Sequence, residues 1–179
     1  MKKVVTLAGS NSKTSINQQL IDYTVTLLPG IEEISINLND YDLPIYGVDY
    51  EAENGIPLLV TELNAIFEQA DGFVISLAEH NGSYAAVFKN VIDWLSRVKQ
   101  AFCNQKPLLL MSTSPGGRGG KTVLQSAVTT FPFLGAEVVG SFAFPAFYEN
   151  FSEGQIQEAS LKAEHSKQVA AFIEGLGKH

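Results

Sequence analysis

Continuous apolar runs alternate with stretches whose apolar residues recur at helical spacing. Lys3–Gly9 is a short β-prone run stopped abruptly by polar residues, and it predicts a first strand. Ser15–Leu28 carries Ile16, Leu20, Tyr23, Val25, Leu27 and Leu28 and is closed by Pro29-Gly30, the signature of a helix and its stop. Glu33–Leu38 alternates as a second strand, and Asn39–Asn54, with Pro44, Gly47 and several acids, predicts an extended loop. Pro57 opens a helix bearing Leu58, Leu59, Leu63, Ile66 and Phe67. Gly72–Ala78 and Lys106–Thr113 are apolar throughout, as strands buried on both faces are. Tyr84–Val98 places Val87, Phe88, Val91, Ile92, Leu95 and Val98 on one helical face. Gly120–Leu134 predicts a further helix, Ala136–Phe144 a fifth strand, and Gly154–Gly175 a last helix with Ile156, Leu161, Val169, Ala170 and Ile173.

Strand–helix alternation of this kind predicts an α/β fold, a doubly wound five-stranded parallel sheet with helices on both faces. A chain of 179 residues without repeats or linkers is expected to form one domain, 1–179. In such a fold ligands bind beyond the carboxyl ends of the strands, where the winding reverses. The loops after strands one, three and four are therefore expected to meet in one crevice.

Charge narrows the partners. The formal charge is −7 with scattered Lys and Arg, which argues against nucleic acid. No run of about 20 apolar residues is present to span a membrane. The apolar stretch after Met1-Lys2-Lys3 is too short for a signal peptide, so a cytoplasmic location is expected. Cys103 is the lone cysteine and makes neither a disulfide nor a zinc site, and no metal centre is expected.

The loop after strand one, Ser10–Asn17, holds Ser10, Ser12, Thr14, Ser15 and Asn17 and no acid. Free amides at a helix N-terminus, the positive end of the macrodipole and several hydroxyls together suit a phosphate. An ordinary helix cap would need only one of these hydroxyls. The loop after strand three, Ala78–Tyr84, reads equally as a ligand wall and as a solvated turn bent at Asn81-Gly82 with Ser83 capping the next helix. His80 has no nucleophile beside it in sequence, so acyl transfer has no support. The loop after strand four, Ser112–Thr122, has four glycines within five positions, more than one turn requires, and would let backbone approach a flat ring. Its end, Gly-Gly-Lys-Thr, looks like a nucleotide triphosphatase phosphate loop, but Pro115 stands where the first glycine must be.

Together the three loops resemble the NADPH-dependent FMN reductase family of flavodoxin-like proteins. The first loop of that family, G-S-x-R-x-x-S-x-N, is matched by Gly9 to Asn17 except that Ser12 replaces the arginine. Its second loop, P-E-Y-N-x-S, is matched at Glu79, Asn81 and Ser83, with Ala78 and His80 in place of the proline and tyrosine. The later K-N-x-x-D-W is matched at Lys89, Asn90, Asp93 and Trp94. Ser114, Gly116, Gly119 and Gly120 follow its glycine loop, and Asp42-Leu43-Pro44 its D-L-P segment. The resemblance implies the strand order 2-1-3-4-5, FMN as cofactor and NAD(P)H as co-substrate. It also implies a small-molecule electron acceptor, whether quinone, azo compound, metal oxyanion or free flavin, and a homodimer or homotetramer with flavin near the subunit interface. The aromatic segment Phe142, Phe144, Phe147, Tyr148 and Phe151 then either lines that edge or serves as fifth-strand core and capping. The cofactor-binding residues it implies are Ser10, Asn11, Ser12, Ser15, Ile16 and Asn17 in the first loop, Glu79, His80, Asn81, Gly82 and Ser83 in the second, and Ser114, Pro115, Gly116 and Gly117 in the third. The cofactor carries the chemistry, so no catalytic side chain is expected. A non-enzymatic electron carrier and, less in keeping with Pro115, a phosphate-loop enzyme are the alternatives.

Overall fold

The computed structural model describes residues 1–178. The central sheet is formed by β1 (Lys2–Gly9), β2 (Ile31–Ile36), β3 (Gly72–Leu77), β6 (Lys106–Thr113) and β7 (Ala136–Phe144), in the order β2-β1-β3-β6-β7. All its pairings are parallel. Numbered along the chain, the five sheet strands run 2-1-3-4-5, the flavodoxin-like order. β4 (Glu79–His80) and β5 (Ser83–Tyr84) form a hairpin outside the sheet, as do β8 (Phe151–Ser152) and β9 (Gln155–Ile156).

Strand residues alternate between two cores, as the period of two dictates. Val5, Leu7, Phe73, Ile75, Leu108 and Leu110 face one layer, packed by α3 (Leu58–Gln69), α4 (Ala86–Val98) and α5 (Lys121–Thr130). Val4, Val74, Leu109 and Met111 face the other, packed by α1 (Ile16–Val25) and α7 (Ala159–Lys178). The crossover to β2 lies on one face and those to β6 and β7 on the other, so the winding reverses beside β1 and opens a crevice between β1 and β3.

Some elements depart from the sequence reading. Within the expected loop 39–54, α2 (Val48–Asn54) forms, its Glu51 held by Arg97 of α4 at 2.9 Å. Residues 84–85 belong to the β4–β5 hairpin and the turn after it, and α4 starts at Ala86. Ser83 is paired with His80 in that hairpin and does not cap the helix. The expected helix 120–134 ends at Thr130 and continues as a 3-10 turn containing Pro132. The last helix starts at Ala159, because residues 151–156 turn back as β8–β9 through Glu153 and Gly154, both at positive φ. The carboxylate of Glu158 accepts the amides of Ser160 and Leu161 and so caps that helix.

The Lys-Asn-x-x-Asp-Trp match is a clamp. On α4, Asn90 Oδ1 accepts the Tyr46 amide at 2.8 Å, and Asn90 Nδ2 and Trp94 Nε1 both donate to the Pro44 carbonyl, at 3.0 and 2.8 Å. Lys89 and Asp93 pair along the exposed side of the helix. These residues fix the Leu43–Tyr46 segment to the scaffold.

Among the buried polar groups, His165 is fully enclosed by α1, β7 and α7. Its Nε2 lies 2.9 Å from Thr24 Oγ1, whose single proton is given to the Leu20 carbonyl at 2.7 Å. Nε2 therefore carries the ring proton, and Nδ1 has no partner among the described residues. Burial pushes the imidazole down to about 4 from its ordinary 6.5. The folded chain thus refuses a proton that the unfolded chain accepts. The neutral histidine's contribution is complete above pH 6.5 and is lost as pH falls toward 4, by about 3 kcal/mol. Urea midpoints measured across this window are expected to fall in the wild type and to flatten in His165→Leu.

Candidate functional site

The loop after β1 turns on its own hydroxyls. Ser10 Oγ accepts the Ser12 amide at 3.1 Å, Ser12 Oγ accepts the Thr14 amide at 3.3 Å, and Ser15 caps α1 by accepting the Gln18 amide at 3.2 Å. The first two bonds are long and exposed, so an anion with stronger acceptors can displace them. The first-turn amides of Ile16 and Asn17 lie beyond the reach of intrahelical acceptors. Asn17 differs from its neighbours: its side chain is buried and committed to the protein. Its Oδ1 receives Ser76 Oγ at 2.7 Å and the Thr113 amide at 3.2 Å, and its Nδ2 reaches the Thr113 carbonyl at 3.5 Å.

The second loop is the β4–β5 hairpin. Asn81 (φ 52°) and Gly82 (φ 76°) supply the two positive-φ positions that a two-residue hairpin turn needs. Glu79 faces the third loop, where its Oε2 accepts the Val123 amide of α5 at 2.8 Å. Gly120, the residue at the cap position of α5, has no side chain to do this, so the cap comes from forty residues earlier in the chain. Glu79 and Asn17 are thus positioning residues as well as wall residues.

The four glycines of the third loop separate into two pairs. Gly119 (φ 58°) would bring a Cβ to 2.6 Å from the Phe144 carbonyl oxygen, and Gly120 (φ 72°) to 3.0 Å from Ser112 Cβ. Both are demanded by the fold. Gly117 has nothing within 4 Å of a would-be Cβ, and Gly116 only Ser114 Oγ at 3.8 Å, with no positive φ at either. Nothing in the protein requires those two to be glycine, so their lack of a side chain points to something outside it.

A cleft of about 230 Å³ joins the three loops. Of the residues singled out in the sequence, Ser10, Ser12, Ser15, Ile16, Asn17, Glu79, His80, Ser114 and Pro115 line it together. Asn11, Asn81, Gly82, Ser83, Gly116 and Gly117 lie outside its lining, in the same loops. Thr14, Ala78, Thr113 and Tyr148 complete the wall. Thr113 could have been found as the last residue of its strand. Tyr148 entered the sequence reading only as a member of the aromatic segment near the subunit edge; it is the short helix α6 (Phe147–Asn150) that puts it in the cleft wall. Arg118 lies outside the lining, its guanidinium turned to Thr122 Oγ1 at 3.2 Å. On its far side the serine loop borders a larger polar groove of about 620 Å³ that contains Asp22 and Lys13. That groove is on the β2 side, away from the winding reversal. Cys103 is buried in the core, where burial pushes its thiol up and keeps it inert.

The donor set fits a phosphorylated mononucleotide with a flat ring. It offers neutral hydroxyls and helix amides in an acid-free loop, with Ser114 and Pro115 in the same cleft and two glycines that the fold does not need following them in the chain. Among the described residues no cluster suited to a metal is present. A sheet of this order with such a loop at its reversal defines a flavodoxin-like α/β protein. A family model described as NADPH-dependent FMN reductase matches residues 2–149, and the chain belongs to that family, a family of FMN-dependent NAD(P)H oxidoreductases. It is 34% identical over 142 residues to a quinone reductase of Escherichia coli (strain K12), across 79% of this chain and 76% of the relative. It is 32% identical to an NAD(P)H-dependent FMN reductase of Pseudomonas aeruginosa, across 74% and 70% of the two chains. Among solved structures it is similar to the flavoenzyme NAD(P)H:(acceptor) oxidoreductase FerB of Paracoccus denitrificans, with a TM-score of 0.79 and 27% identity over 100% of this chain and 99% of that one. The chain is therefore an enzyme, with FMN as its cofactor, which sets aside the carrier and phosphate-loop alternatives.

The division of the glycines is testable. Gly119→Ala is expected to lower unfolding free energy by more than about 2 kcal/mol, from left-handed backbone strain plus the carbonyl clash. Gly117→Ala is expected to leave chemical denaturation unchanged and to weaken FMN binding in a spectral titration.

Proposed function

We propose that this enzyme oxidises NAD(P)H and reduces a quinone, using FMN held in the three-loop cleft. The balance is NAD(P)H plus quinone plus one proton giving NAD(P)⁺ plus hydroquinone. The observation that carries the reading is the acid-free hydroxyl loop at the start of α1, which lines one cleft with Glu79 and His80 of the hairpin and Ser114 and Pro115 of the glycine loop. The quinone reductase of E. coli supports the choice of acceptor.

Bound FMN would supply the redox chemistry that links nicotinamide oxidation to acceptor reduction. The chain's part is binding and electrostatics. Ser10, Asn11, Ser12 and Ser15, with the Ile16 and Asn17 amides, hold the phosphate. Charge-assisted hydrogen bonds of roughly 1.5–3 kcal/mol each make up for the absent arginine. Ser114 and Pro115, with Gly116 and Gly117 next to them in the chain, would present backbone to the ring, and His80, with Asn81 to Ser83 in the same hairpin, would border it. Their amide donors favour the negative charge that reduction brings into the cleft. No side chain is assigned as acid or base. The chain acts as one domain and self-associates as a dimer or tetramer. The exposed Ile45, Val48 and Leu58 around α2 support self-association.

An absorption spectrum of the purified protein under anaerobic conditions is the direct test. A flavin spectrum bleached by NADH or NADPH and restored by a quinone is expected. Protein that neither carries nor takes up FMN would overturn the reading. Ser15→Asp keeps a good helix cap but sets a carboxylate at the phosphate. Unfolding should be unchanged and FMN affinity reduced more than about tenfold.

A further inference from the structure

Tyr148 is the one tyrosine, phenylalanine or tryptophan in the cleft wall, and its side chain is 71% exposed. Its backbone is nevertheless held firmly. Ala146 adopts a left-handed conformation (φ 45°, ψ 58°), unusual for a residue with a Cβ. This bend sends Phe147 into the core, where it stacks on Phe151 at 4.7 Å, and leaves Tyr148 facing out. The same segment is tied to the glycine loop: the Ala146 amide donates to the Gly116 carbonyl at 2.9 Å and the Phe147 amide to the Ser114 carbonyl at 3.1 Å. The Tyr148 ring rests edge-on against Phe147 at 5.6 Å. Its hydroxyl makes no hydrogen bond among the described residues. A strained bend and two cross-loop bonds thus hold an aromatic ring at a cleft mouth where it adds nothing to the core.

We infer that Tyr148 is an acceptor platform, stacking against the planar ring of a quinone and so selecting which acceptors the enzyme reduces. The electron-rich phenol ring and an electron-poor quinone are complementary in offset stacking. Of the other lining side chains only the His80 imidazole is a flat ring, and it is smaller and less electron-rich than the Tyr148 phenol; the rest are hydroxyls, the Glu79 carboxylate, the Asn17 amide and small or aliphatic groups. The inference rests on the flavin reading above.

The test uses the FMN-loaded enzyme and Tyr148→Ala and Tyr148→Phe variants. Menadione binding to the oxidised protein is measured by equilibrium titration. Turnover is compared between menadione and ferricyanide, a compact anion with no ring to stack. Tyr148→Ala is expected to weaken menadione binding and lower its kcat/KM about tenfold. Ferricyanide kcat/KM should fall far less than that of menadione, and Tyr148→Phe should behave as wild type. Three results would overturn the inference: unchanged menadione affinity, equal loss with both acceptors, or a change in FMN affinity. A change in sedimenting mass without a change in menadione affinity would do the same, by placing Tyr148 in a subunit contact. Absence of FMN from the wild-type protein would overturn the flavin reading itself, and that is read before any variant is made.

Discussion

The buried carboxamide of Asn17 is the contact on which the site depends. It lies at the start of α1, and its oxygen receives both the Ser76 hydroxyl of β3 and the Thr113 amide of β6. One side chain thus joins the first helix turn to the ends of two strands at the winding reversal. Sheet hydrogen bonding sets the spacing of β3 and β6 but not the height of α1 above them. Asn17 sets that height, and with it the position of the Ser10–Ser15 loop. Losing it would leave two buried donors without partners, at about 1–3 kcal/mol each.

Around this knot the loops brace one another across long sequence separations. Glu79 of the hairpin caps α5, Ser112 Oγ donates to the Gly119 carbonyl at 2.7 Å, and the segment after β7 is bonded to the glycine loop. Motif residues therefore divide into those that face the cleft and those that hold the walls. Asn90 and Trp94, of the Lys-Asn-x-x-Asp-Trp match, belong to the second group and grip the Leu43–Tyr46 segment.

Legibility followed the length and regularity of each element. The bounds of β6 and β7 were readable because long apolar or alternating runs leave little choice of conformation, and the alternation of strands with helices implied two cores. The hairpin strands, each of two residues, carry no period to read. Nor was α2 readable: it buries none of its residues and takes support from the Arg97–Glu51 pair. For the second loop, sequence left a solvated turn and a ligand wall equally open. In the structure Asn81-Gly82 is the bend of one hairpin, and Glu79 and His80 line the cleft.

By itself the sequence determined the layered α/β fold, the crevice loops and the exclusion of acids from the loop at α1. These follow from local periodicity and from which residue types sit beside one another. Only the tertiary structure decided which glycines the fold consumes and which it leaves open, where Glu79 points, and that Tyr148 belongs to the cleft. A Cβ clash, a helix cap supplied from another loop and a ring held by a strained bend are all contacts between residues far apart in the chain. Such contacts have no signature in any short window of sequence.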